Sequence, residues 1–507
     1  MQHMSVTVSE VLDQLREGSS SEAEKGSKFE QLMVAYLKAD PTYAEQFSDV
    51  FLWQDWPGRA GKRDTGVDIV AVDRITGENV AIQSKFYADN HHVSKKDIDT
   101  FLSASGTNDF GQRIIVSTGA DWGANAEATL QNQQIPVRRI SMSDLQNSNI
   151  DWSQFSWETP QVVQTAGKKS VRPHQRTAID KVTAGLGESD RGKLIMACGT
   201  GKTFTSLRLA EENVGAGGTV LFLVPSISLL SQTVREWATE AEVPLRMLAV
   251  CSDAKSTKRS NANEDISAVD VALPATTNLA VVQERWSAAA QDTGAMTVVF
   301  STYQSIEVVA SAQKAGGFAP FDLIVCDEAH RTTGVTMAGA DESAFVRVHD
   351  NAFVQGAKRL YMTATPRIFG EDSKKKATVK DAVIASMDDD EVYGPELHRL
   401  GFGEAVEKDL LTDYRVLILT VDEKYVSGNF QTELAEDGEI QLSDAAKIIG
   451  CWNGLAKHFD TMPDEPLAPM QRAVAFAPNI ATSKAIASAF PGIVDKHVKK
   501  IDTPSFV

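Results

Sequence analysis

The sequence predicts an α/β protein in which a mixed β-sheet comes first and parallel sheets follow. Over residues 1–157, short β-rich runs and helical stretches are separated by clusters of turn-forming residues, as in sheets that contain antiparallel strands. From Leu194 onward, continuous apolar runs alternate with helical stretches, and each run ends in polar residues. Such runs are typical of buried parallel strands, whose carboxyl ends form the edge where open α/β sheets bind ligands.

Length and charge limit the organisation of the chain. Its 507 residues have room for roughly three domains. We place a mixed-sheet domain at 1–157, a polar linker at 158–170, a parallel-sheet domain at 171–392 and an incomplete second one at 393–507. The net charge of −18 argues against coating nucleic acid through bulk charge, although a local basic groove would suffice to bind phosphates.

The sequence contains neither a membrane span nor a secretion signal. No apolar run reaches the roughly 18 residues that a membrane helix needs. The first residues lack the basic and apolar segments of a signal peptide. The four cysteines are scattered without the spacing of a metal site or a disulfide framework, so we expect a protein of the reducing cytoplasm.

Residue patterns give the order of elements in the mixed-sheet domain. Residues 5–40 are predicted to be helical, and Glu30 lies at the edge of their apolar stripe. Strands are predicted over Val50–Trp53, Val67–Val72, Asn79–Ser84, Arg113–Thr118 and Ile135–Ile140, and further helices over Lys95–Ala104 and Ala124–Gln131. A helix, a three-stranded meander and then further helices and strands indicate a mixed central sheet.

Four polar residues of this domain form a candidate catalytic set. Asp68 interrupts an apolar strand, where an acid is costly unless it binds a cation or a donor. Gln83 and Lys85 alternate at the end of the next strand and so share one face. A metal-holding carboxylate and a lysine suit phosphodiester hydrolysis, because the metal activates water and the lysine orients or deprotonates the nucleophile. Glu30 is the fourth candidate, as an acid that is either solvated or aimed into a cleft.

A phosphate-binding loop follows the linker. Leu194–Met196 reads as a strand that breaks into a glycine-rich turn, with a helix beginning at about Lys202. The turn comprises Gly199, Thr200, Gly201, Lys202 and Thr203. Its backbone would cradle phosphate, Lys202 would reach the β- and γ-phosphates, and Thr203 would hold Mg²⁺. Met196 stands where the common pattern has its first glycine, and a chance loop is the alternative.

Two further positions complete the predicted nucleotide site. A helix beginning at Arg172–Gln175 places Gln175 upstream of the loop, where its amide could bind the adenine edge. Later strands are predicted over Val220–Val224, Val298–Ser301, Leu323–Cys326 and Arg359–Met362. Asp327 directly follows one of them and could hold Mg²⁺, while Glu328 could polarise the attacking water. A phosphate loop with such an acid pair indicates nucleoside triphosphate hydrolysis.

Beyond Tyr393 we predict the start of a second parallel-sheet domain. Its elements are strands at Arg415–Val421 and Arg472–Phe476 and helices at Ala445–Asp460 and Ala481–Phe490. No later segment matches an arginine-finger motif, which can change the hydrolysis rate by several orders of magnitude. We therefore expect these residues to be part of a longer enzyme.

The first domain resembles the Mrr-like branch of the PD-(D/E)xK nucleases, whose pattern is E…D…(Q/E)xK. Here the pattern is Glu30, Asp68, Gln83 and Lys85, with roughly residues 20–145 covered. The resemblance implies a Mg²⁺-dependent nuclease in which Asp68 and Gln83 hold the metal. Gln83 replaces the acid of many relatives, and an inert DNA-binding module is the alternative.

Residues 171–367 resemble a superfamily 2 helicase motor of the DEAH type with RecA-like domains. The motifs are RPHQ, MACGTGKT, LVPSISLL, FSTYQS, CDEAH and MTATP, in family order. The resemblance adds His330 to the nucleotide site and gives Thr363 and Thr365 a role in coupling it to nucleic acid. It also implies that one DNA strand is gripped by Pro225, Ser226, Ser301, Thr302, Tyr303 and Gln304.

The nuclease ahead of this motor, together with YGPELHRLGFGEAVEKDLLTDYRV (Tyr393–Val416), is similar to the type ISP restriction-modification enzymes. That resemblance implies an ATP-dependent restriction endonuclease that moves along double-stranded DNA and defends against foreign DNA such as phage. Methyltransferase and target-recognition domains would lie C-terminal or in a partner. A DNA or RNA repair helicase with an inert nuclease-like module is the alternative, and a nucleotide-gated DNA-binding protein is a third.

Overall fold

A computed structural model describes most of the chain. The described residues are 6–61, 66–88, 90–119, 121–131, 133–252, 267–337, 343–371, 382–414, 442–456, 470, 473–477 and 480–501. Within them, a first compact unit extends to Leu411, and a second unit includes the residues from Thr412 onward. No helix of the described residues is long and apolar enough to cross a membrane.

The elements follow the chain in the order that the residue patterns predict, with several additions. The helices of the first unit are α1 (Val8–Gly18), α2 (Glu22–Ala39), α3 (Pro41–Gln46), α4 (Lys95–Ala104), α5 (Ala124–Gln131), α6 (Met142–Gln146), α7 (Pro173–Glu188), α8 (Lys202–Asn213), α9 (Ile227–Glu240), α10 (Leu279–Ala289), α11 (Ile306–Gly316), α12 (Asp390–Tyr393) and α13 (Phe402–Glu407). Its strands are β1 (Phe47–Leu52), β2 (Ile69–Asp73), β3 (Asn79–Lys85), β4 (His92–Val93), β5 (Gln112–Ser117), β6 (Asp121–Trp122), β7 (Val137–Ile140), β8 (Arg191–Met196), β9 (Thr219–Val224), β10 (Leu245–Val250), β11 (Met296–Thr302), β12 (Phe321–Cys326), β13 (Gly334–Met337), β14 (Gly356–Thr363), β15 (Ala382–Ala385) and β16 (Glu396–Leu400).

The first sheet has five strands in the order β1-β2-β3-β5-β7. The strands β1, β2 and β3 form an antiparallel meander, and β5 and β7 join it in parallel. One face packs on α1 and α2 through residues such as Ile69 and Ile82, and the other packs on α4 and α5 through Val70 and Ala81. The predicted mixed sheet is therefore confirmed.

The second sheet has seven strands, all parallel, in the order β10-β11-β9-β12-β14-β8-β16. Apolar side chains cover both of its faces. Phe222 and Phe300 pack with Trp237 on one face, and Leu221 and Ile324 belong to the core of the other. Burial on both faces explains why these strands read as continuous apolar runs, and it confirms the predicted parallel sheet.

Three strands of the first unit add to the predicted elements near its end. Strand β16 pairs with β8 at the edge of the seven-stranded sheet, and β13 and β15 form a separate antiparallel ribbon. The first unit therefore extends to Leu411, whereas we expected a second domain to begin at 393. Strand β16 lies at an edge, where its side chains are only partly covered, so its sequence carries no continuous apolar run.

The second unit contains the helices α14 (Leu442–Ala456) and α15 (Ile480–Ile501) among its described residues. The strand predicted over Arg472–Phe476 does not form there, since residues 473–477 have no regular secondary structure. Val474 and Phe476 are 81% and 95% exposed. An apolar run forms a strand only where a neighbouring strand pairs with it. The strand predicted over Arg415–Val421 lies outside the described residues.

Candidate nuclease and nucleotide sites

Asp68 lies directly before β2, beside the end of β3. Its backbone N–H donates to the carbonyl of Ile82 at 3.0 Å, and its own carbonyl accepts from the N–H of Trp53 at 2.8 Å. One carboxylate oxygen, Oδ2, accepts from the backbone N–H of Ser84 at 2.7 Å. Asp68 is therefore held between two neighbouring strands with its carboxylate turned toward the carboxyl end of β3.

Gln83 is buried beside Asp68 with an unusual set of hydrogen bonds. Its side chain is 3% exposed, and Nε2 donates to the carbonyl of Gly66 at 3.0 Å. Because a carbonyl can only accept, this contact identifies which amide atom is the nitrogen. The amide oxygen Oε1 has no hydrogen-bond donor among the described residues. A buried oxygen without a donor is costly, which makes Oε1 a fitting ligand for a hard cation.

Asp68, Gln83 and Lys85 belong to one face of the sheet. Lys85 ends β3 two residues after Gln83, and its carbonyl accepts from the N–H of Thr118 at 3.2 Å. Ala81 and Val70, which have the same alternation, face α4. The described residues contain no group of three or more His, Cys, Asp or Glu suited to a metal ion. On this face, Asp68 and Gln83 supply a carboxylate and an amide oxygen.

Glu30 lies on a helix, outside the sheet that carries the other three candidates. It is half-buried on α2, which packs against the opposite face of the sheet. The neighbouring ring of Phe29 lies 5.2 Å from that of Phe86, so this part of α2 adjoins the end of β3. Glu30 therefore lies near the edge of the sheet beside Lys85, while its helix covers the other side.

The glycine-rich turn between β8 and α8 has the geometry of a phosphate-binding nest. Gly199 and Gly201 have φ values of +82° and +87°, which side chains other than hydrogen rarely allow. The Lys202 ammonium donates to the carbonyl of Met196 at 3.3 Å, so it curls back over the turn. Thr203 is half-buried in the first turn of α8. These four positions stand together at the positive end of one helix.

Gln175, on α7, is hydrogen-bonded to the glycine-rich turn. Its Nε2 donates to the carbonyl of Thr200 at 3.3 Å, and its Oε1 accepts from the N–H of Arg172 at 2.9 Å. His174, which the sequence reasoning missed, places Nε2 3.0 Å from the same carbonyl of Thr200. Both ends of the Gln175 amide therefore contact the backbone, and its binding to the adenine edge stays a prediction. The proximity of His174 to Gln175 in the sequence was the available signal.

Asp327 is buried at the end of β12, across the sheet edge from the turn. It is 6% exposed, and its N–H donates to the carbonyl of Leu223 at 2.9 Å. Burial and the neighbouring charge of Glu328 raise the pKa of Asp327 to about 6, and the positive charge of Lys202 opposes this shift. Glu328 has a φ of +48°, an uncommon left-handed conformation for a side chain of this size. Such strain concentrates at functional sites.

His330 links this acid pair to β14. Its Nδ1 lies 3.0 Å from Oγ1 of Thr363 and 3.4 Å from the carboxylate of Glu328. Burial lowers the pKa of His330, which favours the neutral ring. Oγ1 of Thr363 also accepts from the N–H of Thr365 at 3.1 Å. A continuous set of contacts thus joins the acid pair to the loop after β14.

The residues expected to grip nucleic acid are mostly buried. Pro225, Ser301, Thr302 and Tyr303 are buried, Ser226 is half-buried and Gln304 is exposed. We expected the two loops that contain these residues to grip the phosphates of one strand, and this stays a prediction. Ser301 and Thr302 lie inside the fold. Their short hydroxyl groups are used internally, and the Tyr303 hydroxyl donates to the carbonyl of Asp327 at 2.9 Å.

Hydrogen bonds connect the loop after β11 to the loop after β9 and to the acid pair of Asp327 and Glu328. Gln304 Nε2 donates to the carbonyl of Pro225 at 3.3 Å, and Ser226 caps α9. Tyr303 therefore ties its loop to Asp327, and Gln304 ties the same loop to the loop after β9. Sequence reasoning placed Tyr303 in a gripping loop but gave no signal for its link to Asp327.

Two protein families match consecutive parts of the chain. A restriction endonuclease family of the Mrr type matches residues 38–162, which leaves Glu30 outside the match. The family of the type III restriction enzyme res subunit matches residues 168–368. The chain thus carries an Mrr-type restriction endonuclease domain followed by a restriction-enzyme helicase domain, and the second domain implies the use of ATP.

Individual relatives add detail to this class. The ATP-dependent type ISP restriction-modification enzyme LlaBIII, solved bound to DNA, is 40% identical with a TM-score of 0.81, and the match covers 96% of this chain and 31% of LlaBIII. The type ISP enzyme LlaGI, solved as a nuclease-deletion mutant with a DNA substrate mimic, is 36% identical with a TM-score of 0.44, over 66% of this chain and 24% of that one. A probable helicase of African swine fever virus is 29% identical over 48% of this chain and 24% of the viral protein. The chain spans about a third or less of the length of these relatives. The match to LlaBIII confirms the resemblance to type ISP enzymes.

Proposed function

We propose that this chain is the cutting and moving part of an ATP-dependent restriction endonuclease, which translocates on foreign double-stranded DNA and cleaves it. The observation that carries the proposal is the pairing of two polar sites in one chain. One is half-buried Asp68 with buried Gln83, on the same face of the sheet as Lys85, and the other is the Lys202 turn facing Asp327. The similarity to LlaBIII, an enzyme solved bound to DNA, supports double-stranded DNA as the partner.

In the motor, ATP would bind with its phosphates in the turn of Gly199–Thr203. Lys202 would release the Met196 carbonyl and move to the β- and γ-phosphates. Asp327 and Thr203 would hold Mg²⁺, and binding of this cation would keep Asp327 ionised despite its raised pKa. Glu328 would orient the attacking water, and His330 would pass the change at the γ-phosphate to Thr363.

In the nuclease, Asp68 and the free oxygen of Gln83 would hold Mg²⁺, which supplies charge neutralisation at the scissile phosphate and a more acidic water. The Lys85 ammonium would orient or deprotonate the attacking water. Glu30 would act from the far side of the β3 end, as a support to Lys85 rather than as a metal ligand. Exposed Gln304 and half-buried Ser226 would contact one DNA strand, with the buried residues of those loops holding them in place.

The proposal is tested by DNA cleavage with and without ATP in the parent protein and in Asp68→Ala and Lys202→Ala. We expect Asp68→Ala to hydrolyse ATP at the parent rate without cutting, and Lys202→Ala to lose both ATP hydrolysis and ATP-dependent cutting. Retained cutting by Asp68→Ala would remove the nuclease assignment. Glu22→Gln, which changes an exposed pair with Lys25, serves as the matched control.

The similarity to a probable helicase supports a second candidate function, that of a repair helicase. A repair helicase would separate the strands of a labelled duplex as it hydrolyses ATP, whereas the proposed translocase would displace a bound protein without separating strands. Measuring both in one reaction decides between the two functions.

A further inference from the structure

The nuclease and motor sheets are joined by a buried ion pair. Asp73, at the end of β2 in the nuclease sheet, is fully buried and lies 2.8 Å from the guanidinium of Arg285 on α10 of the motor. Arg285 is itself buried, and Gln112 also donates to the Asp73 carboxylate at 2.8 Å. Burial alone would raise the pKa of Asp73, but Arg285 and these hydrogen bonds hold it below its ordinary value.

Two neighbouring arginines of β7 extend this contact. Arg139 makes two hydrogen bonds to the carboxylate of Asp270 in the motor, at 2.7 and 2.8 Å. Arg138 is buried, and it donates to the motor carbonyl of Ala272 and to the side-chain oxygen of Gln46. Planar guanidinium groups that make several hydrogen bonds fix orientation as well as distance.

Apolar contacts and outer ion pairs surround the arginines. Ala272 of the motor lies within the nuclease core cluster, and Ile75 of the nuclease packs against a motor core cluster. At the periphery, Arg235 of α9 lies 2.6 Å from Asp144. The two domains are therefore interlocked through their cores and belong to the same compact unit.

We propose that two ion pairs, Asp73 with Arg285 and Arg139 with Asp270, hold the nuclease and the motor together as one rigid body. They thereby set where on the DNA the nuclease cuts relative to the motor. This inference rests on the proposed function and extends it. A nuclease shifted on the motor would leave these charges buried without their partners, which is strongly destabilising, so the ion pairs favour one docked orientation. A domain hung on the polar linker alone would instead sample many positions. The four are positioning residues, and none of them is among the candidate catalytic groups.

The test neutralises the dock in the variant Asp73→Asn with Arg285→Gln and Asp270→Asn, in which Arg139 keeps its ion pair with Glu127. Cleavage is run with ATP and Mg²⁺ on linear DNA that carries one tightly bound protein block, and the cut ends are sequenced. We expect the parent to cut in a narrow interval at a constant distance from the block, and the variant to cut over an interval several times wider. ATP hydrolysis should stay within roughly twofold of the parent, since none of these residues lies at the nucleotide turn.

A second measurement keeps the inference testable if the parent does not cut, an outcome that would count against the proposed function alone. Hydrogen exchange of the nuclease strand Asn79–Lys85 is followed without DNA. Docking should protect this strand, so we expect the variant to exchange roughly tenfold faster while Glu22→Gln matches the parent. Unchanged exchange together with an unchanged cut interval would overturn the rigid dock.

Discussion

Replacing Gln83 by Glu should make the stability of the nuclease domain depend on magnesium. In the parent, Nε2 of Gln83 donates to the carbonyl of Gly66 at 3.0 Å, and Oε1 has no donor among the described residues. A glutamate of the same shape would place a carboxylate oxygen against that carbonyl oxygen, because it has no N–H to offer. It would also bury a negative charge beside Asp68.

The size of the effect follows from these contacts. Losing the hydrogen bond and burying an unpaired charged oxygen should lower the free energy of unfolding by about 2–4 kcal/mol in EDTA. For a domain of this size, that corresponds to a fall in melting temperature of roughly 4–16 °C. A second carboxylate also makes a better Mg²⁺ ligand, and Mg²⁺ at one hundred times its dissociation constant would restore about 2.7 kcal/mol.

The assay compares thermal unfolding of the parent, Gln83→Glu and the neutral control Gln83→Met in EDTA and in increasing Mg²⁺. We expect Gln83→Glu to be the least stable in EDTA and to gain the most from Mg²⁺, whereas Gln83→Met should gain nothing beyond a salt effect. If Mg²⁺ moved all three proteins equally, Gln83 would not face a metal and the assignment of this side chain would be withdrawn.

Three other outcomes are expected. Gly201→Ala should weaken binding of an ATP analogue by roughly tenfold or more, as measured by calorimetric titration. The reason is that Gly201 has a φ of +87° and that the added Cβ would lie 2.3 Å from Nε2 of Gln175. Thr363→Val removes the contact with His330, and DNA stimulation of ATP hydrolysis should fall roughly fivefold while DNA-free hydrolysis is kept; unchanged stimulation would contradict the coupling role. Burial lowers the pKa of His349 to about 4. The unfolded chain therefore binds the proton more readily, and stability should fall by up to about 3 kcal/mol as the pH drops from 6.5 to 4. His349→Gln should flatten this dependence in urea unfolding, and a parent whose stability is constant over that range would refute it.

Much of the fold could be predicted from local patterns. The buried parallel strands could be recognised as continuous apolar runs. The helices Lys95–Ala104 and Ala124–Gln131 begin and end where the sequence predicts. Strand β16 was missed because an edge strand carries a weaker pattern. A strand was predicted over Arg472–Phe476 for the opposite reason, since an apolar pattern does not reveal whether a partner strand lies beside it.

Some features of the candidate sites could likewise be predicted from the sequence, and others could not. Gly201, Lys202 and Asp327 could be named from the sequence because Asp327 directly follows β12 and the other two belong to the glycine-rich turn after β8. Such motifs consist of residues adjacent in the chain. The sequence could not predict that the Gln83 amide oxygen has no hydrogen-bond donor among the described residues, or on which side of the sheet Glu30 lies. Burial and hydrogen bonding depend on segments that are far apart in the sequence.

By itself, the sequence determined the two chemistries and their order along the chain, because short motifs carry the reactive groups. The tertiary structure alone decided which of those groups are reachable, as the buried Ser301 and Thr302 show, and how the domains are held together. The ion pair of Asp73 with Arg285 joins residues more than 200 positions apart, at 2.8 Å. No local pattern encodes such a pair, since a buried charge is stable only where the completed fold supplies its partner.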